Sequence, residues 1–309
     1  MSFLLSYFAL QTDIQVLHVP LKASLDEAEP MIRVILIALA LLLLTLVLLP
    51  FQLVGILFNS QLQRIVPHLY HRAVCAIIGI RIREIGQRSS DQPLLILSNH
   101  VSWLDIIVIT AVAPVVFVAK HEVASWPLFG WLAKLQRTIF IERERRQKTG
   151  EVAREMGNRL SDGDTVVLFA EGTSSDGNRV LPFRSALVGS VHHALGDETH
   201  HSSIAVQPLS LAYVGIGGVP TGRALRDKLA WYGDVDLMPH MLGVLLSGAV
   251  DVTVSWGPSM AYDMSADRKQ IARAAEKSVR QMTAAALRTP SRKPPAEAPE
   301  SATAVPGMA

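Results

Sequence analysis

A single cysteine in 309 residues excludes a disulfide scaffold and a Cys-based zinc module. Charge is scarce as well. Asp, Glu, Lys and Arg make up 18% of the chain, and 29 basic against 27 acidic residues leave a formal charge of +2, which gives no general nucleic-acid footprint. No G-x-S-x-G string occurs, so the nucleophile elbow of serine hydrolases is missing. Gly215, Gly217 and Gly218 are not followed by Gly-Lys-Ser/Thr and read as a loop rather than a phosphate cradle. There is no internal repeat. What the chain has in quantity is apolar side chains, at 50%, which excludes a disordered chain and directs attention to a membrane. The length suits one large α/β unit or two average domains.

Residues 34–58 carry no charge and consist mainly of Leu, Ile, Val and Ala. About 20 such residues cross the hydrocarbon core as a helix, so a membrane anchor is expected over residues 31–58. Pro50 predicts either a kinked span or a helix ending near Leu49, followed by an interfacial segment from Phe51. Spanning and monotopic docking both fit. The run is too long for the apolar region of a cleaved signal peptide. Lys22 and Arg33 precede it, while Arg64, Arg72, Arg81 and Arg83 follow it. The positive-inside tendency then places the bulk of the chain on the cytoplasmic side. Residues 1–30 form an ill-defined extension, and Met31 is a second possible start.

Residues 59–287 read as one α/β domain. Short apolar runs at 94–97, 115–118, 138–141, 165–169, 204–213 and 251–255 alternate with helical patterns near 103–112, 122–135, 147–160 and 185–195. This alternation predicts a mixed sheet flanked by helices. A further helix is expected over 266–287. Residues 288–309, with five prolines from Pro290 onward, are expected to be a disordered tail. Cys75, flanked by Val74, Ala76, Ile77 and Ile78, reads as an inert buried thiol. The pairs His192-His193 and His200-His201 lack a zinc-like framework and are not taken as metal ligands. Trp103, Trp126, Phe129 and Trp131 fit either a bilayer surface or ordinary packing.

Chemistry concentrates in Leu94 to Asp105, reading LLILSNHVSWLD. A strand running into Asn99-His100 puts the histidine in the loop at its carboxyl end, where open α/β sheets bind ligands. In one regular helix positions i and i+5 diverge by about 140°, so His100 and Asp105 meet only if the chain turns between them. Ser98, Asn99 and Ser102 could cap such a turn. If the two meet, Asp105 accepts from one ring nitrogen and leaves the other as a base for a hydroxyl. The alternative is structural: Asp105 complements a helix N-terminus and His100 merely satisfies its loop.

Three further segments follow at predicted strand ends. The set NHVSWLD, IFIERERR, FAEGTSSDG and AVQPL, in this order over about residues 90–215, resembles the four sequence blocks of the glycerolipid acyltransferases typified by 1-acylglycerol-3-phosphate acyltransferase. That resemblance implies transfer of a fatty acyl group from acyl-CoA or acyl carrier protein to a lysolipid hydroxyl, without cofactor or metal. It implies His100 as general base, Asp105 as its partner, and Arg143, Glu171, Gly172 and Thr173 as acceptor-binding residues. Asn99, Lys120, Ser174, Arg184 and Pro208 are secondary candidates, with Lys120 a possible oxyanion donor. Phosphate-acceptor members often carry Arg directly after Glu-Gly-Thr, where this chain has Ser174. Arg143, Arg179 or Arg184 could compensate. The strings EGTSSDGNRVLPFRSAL and WYGDVDLMPH also resemble the lyso-ornithine lipid O-acyltransferase branch, whose acceptor hydroxyl carries no phosphate. On breadth of the family, lysophosphatidate is the first expectation for the acceptor and lyso-ornithine lipid the second. A lipid hydrolase and a non-catalytic lipid-binding protein are more distant alternatives.

Overall fold

The computed structural model describes residues 3–141, 149–192, 203–263 and 265–288. Arg143, His193, His200, His201 and the tail beyond residue 288 lie outside the described residues.

The chain opens with α1 (Phe3–Leu57) and turns back into α2 (Leu62–Ile78). The hairpin is tight because Gly55 has no side chain: a Cβ there would sit 2.5 Å from the Gln63 amide nitrogen. The helix does not end at Leu49 as one expectation had it. Pro50 removes only one i→i−4 bond, the one to the Leu46 carbonyl, and α1 runs on to Leu57. It is continuous through residue 30. The 29 residues from Glu29 to Leu57 contain an 18-residue stretch of mean hydropathy 3.1, long and apolar enough to cross a membrane. Yet one side of it lies on the domain. Ile37 is buried in the core, Thr45 Oγ1 and Tyr70 Oη are 3.1 Å apart, and Gln52 Nε2 donates to the carbonyls of Gln63 and Leu135. The other side exposes Leu36, Leu43 and Leu46.

Gly79, at φ +89°, caps α2 in the left-handed region and releases the chain into β1 (Ile80–Ile85), so Arg81 and Arg83 sit on a strand. Then follow β2 (Leu94–Ser98), α3 (Leu104–Val112), β3 (Val116–Lys120), α4 (Phe129–Leu135), β4 (Ile139–Ile141), α5 (Thr149–Ser161), β5 (Val166–Phe169) and α6 (Ser185–His192). The second half holds β6 (Ser203–Ile216), β7 (Val219–Pro220), α7 (Arg223–Asp227), α8 (Leu237–Leu246), β8 (Val250–Trp256), β9 (Met260–Asp263) and α9 (Arg268–Arg288). The helical pattern at 122–135 is split into a 3-10 turn and α4, because Pro127 interrupts it.

The sheet is mixed, in the order β1-β8-β6-β2-β5-β3-β4, with β7 and β9 also pairing with β6. β2 runs parallel to both β5 and β6, and β3 parallel to β5 and β4. Leu94 and Ile96 enter one core, towards α1, α2 and α3; Leu95 and Leu97 enter the other, towards α5 and α9. Burial on both faces explains why this strand reads as an unbroken apolar run. Ser98 and Phe169 are register partners, so the loops after β2 and β5 leave the same edge of the sheet side by side.

Candidate active site

Where β2 stops, Asn99 continues the ladder with its side chain. Its Nδ2 donates to the Leu211 carbonyl and its Oδ1 accepts from the Leu211 amide, both at 2.9 Å. The amide stands in for a peptide unit, fastening the loop to β6. The next residue, His100, is thereby presented at the strand end.

His100 and Asp105 do meet. Nδ1 of His100 lies 2.7 Å from Oδ2 of Asp105, and an ionised carboxylate can only accept, so Nδ1 carries the proton and Nε2 holds the lone pair. Among the described residues Nε2 has no hydrogen-bond partner, and the side chain keeps 20% of its surface exposed. The turn between them is made by Asp105 rather than by Ser98, Asn99 or Ser102. Oδ2 of Asp105 draws in the amides of Val101, at 2.6 Å, and Ser102, at 3.0 Å. Ser98 Oγ is spent on the Asn99 carbonyl, and Ser102 Oγ is buried without a partner among the described residues. The other oxygen, Oδ1, accepts from the Tyr213 hydroxyl at 2.6 Å. Burial of Tyr213 beside Asp105 pushes the phenol well above its ordinary range, which keeps it a donor. The imidazole is stacked on Phe169, with centroids 4.0 Å apart, and Phe169 on Phe117. An aromatic wall thus fixes the ring plane.

The loop after β5 holds the His100 peptide from both sides. Oε2 of the buried Glu171 accepts from the His100 amide at 3.2 Å, and Oε1 from the Leu181 amide at 2.8 Å. The amide and hydroxyl of Ser175 both donate to the His100 carbonyl, at 2.9 and 3.2 Å. Burial raises the Glu171 carboxyl to about 8, against the opposing pull of its two amide donors. Gly172 adopts φ +73°, a turn that favours glycine, and a Cβ there would meet Arg184 Cδ at 3.0 Å and press that side chain aside. Thr173, Arg184 and Lys120 are exposed and Ser174 half-buried. Lys120 ends β3 at the same sheet edge.

Pro208 lies buried inside β6, where its partner changes from β9, last paired at Val206, to β8, first paired at Leu209. No ladder amide is needed there, which accommodates proline. Its neighbour Gln207 ties the Gln87 and Gly257 carbonyls and the Ser89 amide together. This part of the fourth block thus joins β6 to the loops before β2 and after β8.

Tyr213, Phe169 and Ser175 were not singled out from sequence. Tyr213 and Phe169 were hidden in apolar strand runs; Ser175 stood in plain view within EGTSSDG. The segment 231–240 also reaches the loop, with the Trp231 amide on the Val101 carbonyl at 2.9 Å and Trp103 Nε1 on His240 Nδ1 at 3.0 Å.

Residues 79–212 match the family model described as Acyltransferase. A lyso-ornithine lipid O-acyltransferase of Brucella abortus is 46% identical over 256 residues, spanning 83% of this chain and 96% of that protein. The chain belongs to this acyltransferase family. The Rhizobium meliloti lyso-ornithine lipid O-acyltransferase is 44% identical over 84% of this chain and 89% of its own length. The 1-acyl-sn-glycerol-3-phosphate acyltransferase of Neisseria meningitidis is 38% identical over 118 residues, 38% of this chain and 46% of that protein. The crystal structure of the 1-acyl-sn-glycerophosphate acyltransferase PlsC from Thermotoga maritima shares the fold, with a TM-score of 0.54 at 18% identity, over 83% of this chain and all of that one. The acyltransferase therefore has the mixed α/β fold expected of it, with His100 and Asp105 joined at the sheet edge.

Proposed function

We propose that this acyltransferase moves a fatty acyl group from an acyl thioester, acyl-CoA or acyl carrier protein, to the free hydroxyl of lyso-ornithine lipid. The observation that carries the chemistry is the His100–Asp105 bond, which leaves Nε2 as the proton acceptor beside exposed space. Nε2 takes the proton of the acceptor hydroxyl as its oxygen attacks the thioester carbonyl. The tetrahedral intermediate then expels the thiolate, and the imidazolium returns its proton to that sulfur. No acyl-enzyme is needed, since a thiol leaves readily. Lys120 and backbone amides near it are the candidate oxyanion donors, and Glu171 acts by holding the His100 peptide rather than by touching the acceptor.

The acceptor assignment is supported by nearly full-length likeness to two lyso-ornithine enzymes, and by Ser174 in place of the arginine expected beside a phosphate. Lysophosphatidate, first in order from sequence alone, keeps support from the Neisseria enzyme over the shorter region. It would draw on Arg143, Arg179 or Arg184 for its phosphate.

The setting we propose is the cytoplasmic face of a bacterial inner membrane. The exposed side of α1 and the exposed apolar residues of α8, Met238, Leu242 and Leu246, would meet the lipid, α8 being packed beside α1. The acceptor would then arrive laterally from the bilayer. The deciding experiment offers detergent-solubilised enzyme a labelled acyl donor with lyso-ornithine lipid and lysophosphatidate in parallel. Ornithine lipid is the expected product, with kcat/KM at least about tenfold above that for lysophosphatidate, equivalent to one lost phosphate contact. Phosphatidate as the main product would overturn the acceptor assignment.

A further inference from the structure

We propose that Tyr213 is a positioning residue of the reaction, which fixes the Asp105 carboxylate and thereby sets the basicity of His100. The inference rests on His100 being the base.

The four hydrogen bonds to Asp105 divide unevenly. Oδ2 serves His100 Nδ1 and the amides of Val101 and Ser102, all within five residues along the chain, and these belong to the local turn. Among the described residues Oδ1 has one donor, the Tyr213 hydroxyl, which comes from 108 residues away on β6. It is the bond that stops the carboxylate rotating about its own axis. It also withdraws negative charge. A carboxylate that shares its charge with a phenol attracts the imidazolium proton less strongly, so the Tyr213 bond lowers the affinity of Nε2 for a proton. The base is then free at a lower pH and gives up its proton more readily to the leaving sulfur.

Tyr213 is itself held at both ends. Its ring is buried among the core residues of the face that carries α3. Its carbonyl lies where the pairing with β8 becomes irregular, and accepts from Thr221 Oγ1 at 2.7 Å and Arg226 Nε at 3.3 Å. The same buried Arg226 donates through Nη1 to Asn178 Oδ1 in the loop that clamps His100. Tyr213 thus connects the histidine's anionic partner to the loop that positions its backbone. The ionisable groups facing this cluster, among the described residues, are His100 and Glu171 around Asp105, Arg280 acting on Glu171, Cys75 of α2 facing Tyr213, Arg226 at the Tyr213 carbonyl, and Asp176 and Arg223 near Arg226. Cys75 is pushed up to about 12 by burial and stays neutral over the working range.

The test is the pH profile of kcat for the full-length enzyme, Tyr213→Phe, and an enzyme with 3-fluorotyrosine at position 213. Tyr213→Phe keeps the ring and loses the donor. Its kcat should fall about tenfold to a hundredfold, the range for one hydrogen bond to a charged group. KM for both substrates should stay within about twofold, and the acid limb should rise by roughly half a unit. Fluorotyrosine, a stronger donor, should move that limb down. It decides alone if the phenylalanine variant does not fold. An unmoved limb in both enzymes, with or without loss of kcat, overturns the proposal and leaves Tyr213 a packing residue. His100→Ala is run alongside. Full activity there sinks the base itself, whereas an inactive His100→Ala beside an unaltered Tyr213→Phe sinks the Tyr213 role alone.

Discussion

The carboxylate of Glu171 accepts a hydrogen bond from the backbone amide of His100 at 3.2 Å. Two loops that are 71 residues apart in sequence are therefore one mechanical unit. Glu171 has its remaining oxygen on the Leu181 amide and is almost wholly buried. On this arrangement Glu171→Ala lets the His100 peptide drift, and the loss falls on kcat: about tenfold to a hundredfold, with KM for the acceptor within about twofold. Steady-state kinetics with varied acceptor separates this from a head-group role, which would raise KM instead.

The same burial makes Glu171 a source of pH-dependent stability. Its carboxyl titrates near 8 in the folded protein against an ordinary value of 4.5. Between those values the folded state holds a proton that the unfolded state has released, so its contribution to stability falls as pH rises from about 5 to 8. Glu171→Gln, neutral throughout, removes that slope. The difference in Tm between wild type and Glu171→Gln, followed from pH 5 to pH 8, should shift in favour of the variant; a constant difference would mean the carboxyl titrates normally.

Asp105→Asn puts an amide where four donors converge. Its nitrogen cannot accept, so either the Tyr213 hydroxyl or the three donors facing Oδ2 lose their bonds, and His100 can take the wrong tautomer. Acyl transfer should drop by about 10² to 10⁴. A variant within tenfold of wild type would show that the carboxylate charge is dispensable.

Asn99→Ala removes the paired bonds that extend β2 onto β6, and strands a buried amide and carbonyl of Leu211. A loss of about 2–4 kcal/mol is expected from urea unfolding. Gly172→Ala, with its positive φ and the close Arg184 side chain, should cost about 1–2 kcal/mol by the same measurement.

Membrane contact can be probed on α8. Met238 and Leu242 are exposed apolar residues on a helix packed beside α1. Replacing both with Glu should weaken flotation with anionic vesicles, at about 1.5–3 kcal/mol for each apolar side chain withdrawn from lipid. Unchanged flotation would assign vesicle binding to α1 alone.

Much of this site could be read from the chain because its anchors are local. His100 and Asp105 stand five residues apart, and the need for a turn between them followed from helix geometry. The apolar runs located most sheet strands to within a residue or two, since strands buried on both faces admit little else. What escaped was long-range. Tyr213 is one more apolar-looking residue in a strand until β6 is laid beside β2. Glu171 reads from sequence as an acceptor ligand, and its two oxygens lie on the backbone amides of His100 and Leu181, which no side-chain pattern can announce. Pro208 stands out by type, and the change of partner along β6 that accommodates it is visible only in the folded sheet.

The central claim is that His100, oriented by Asp105, removes the acceptor proton. Rates of labelled acyl transfer by purified wild type and His100→Ala, at saturating donor and acceptor and with matched thermal unfolding curves, test it directly. The account predicts a loss of about 10² to 10⁴ in kcat with the fold intact. A correctly folded His100→Ala enzyme that turns over within tenfold of wild type would contradict it.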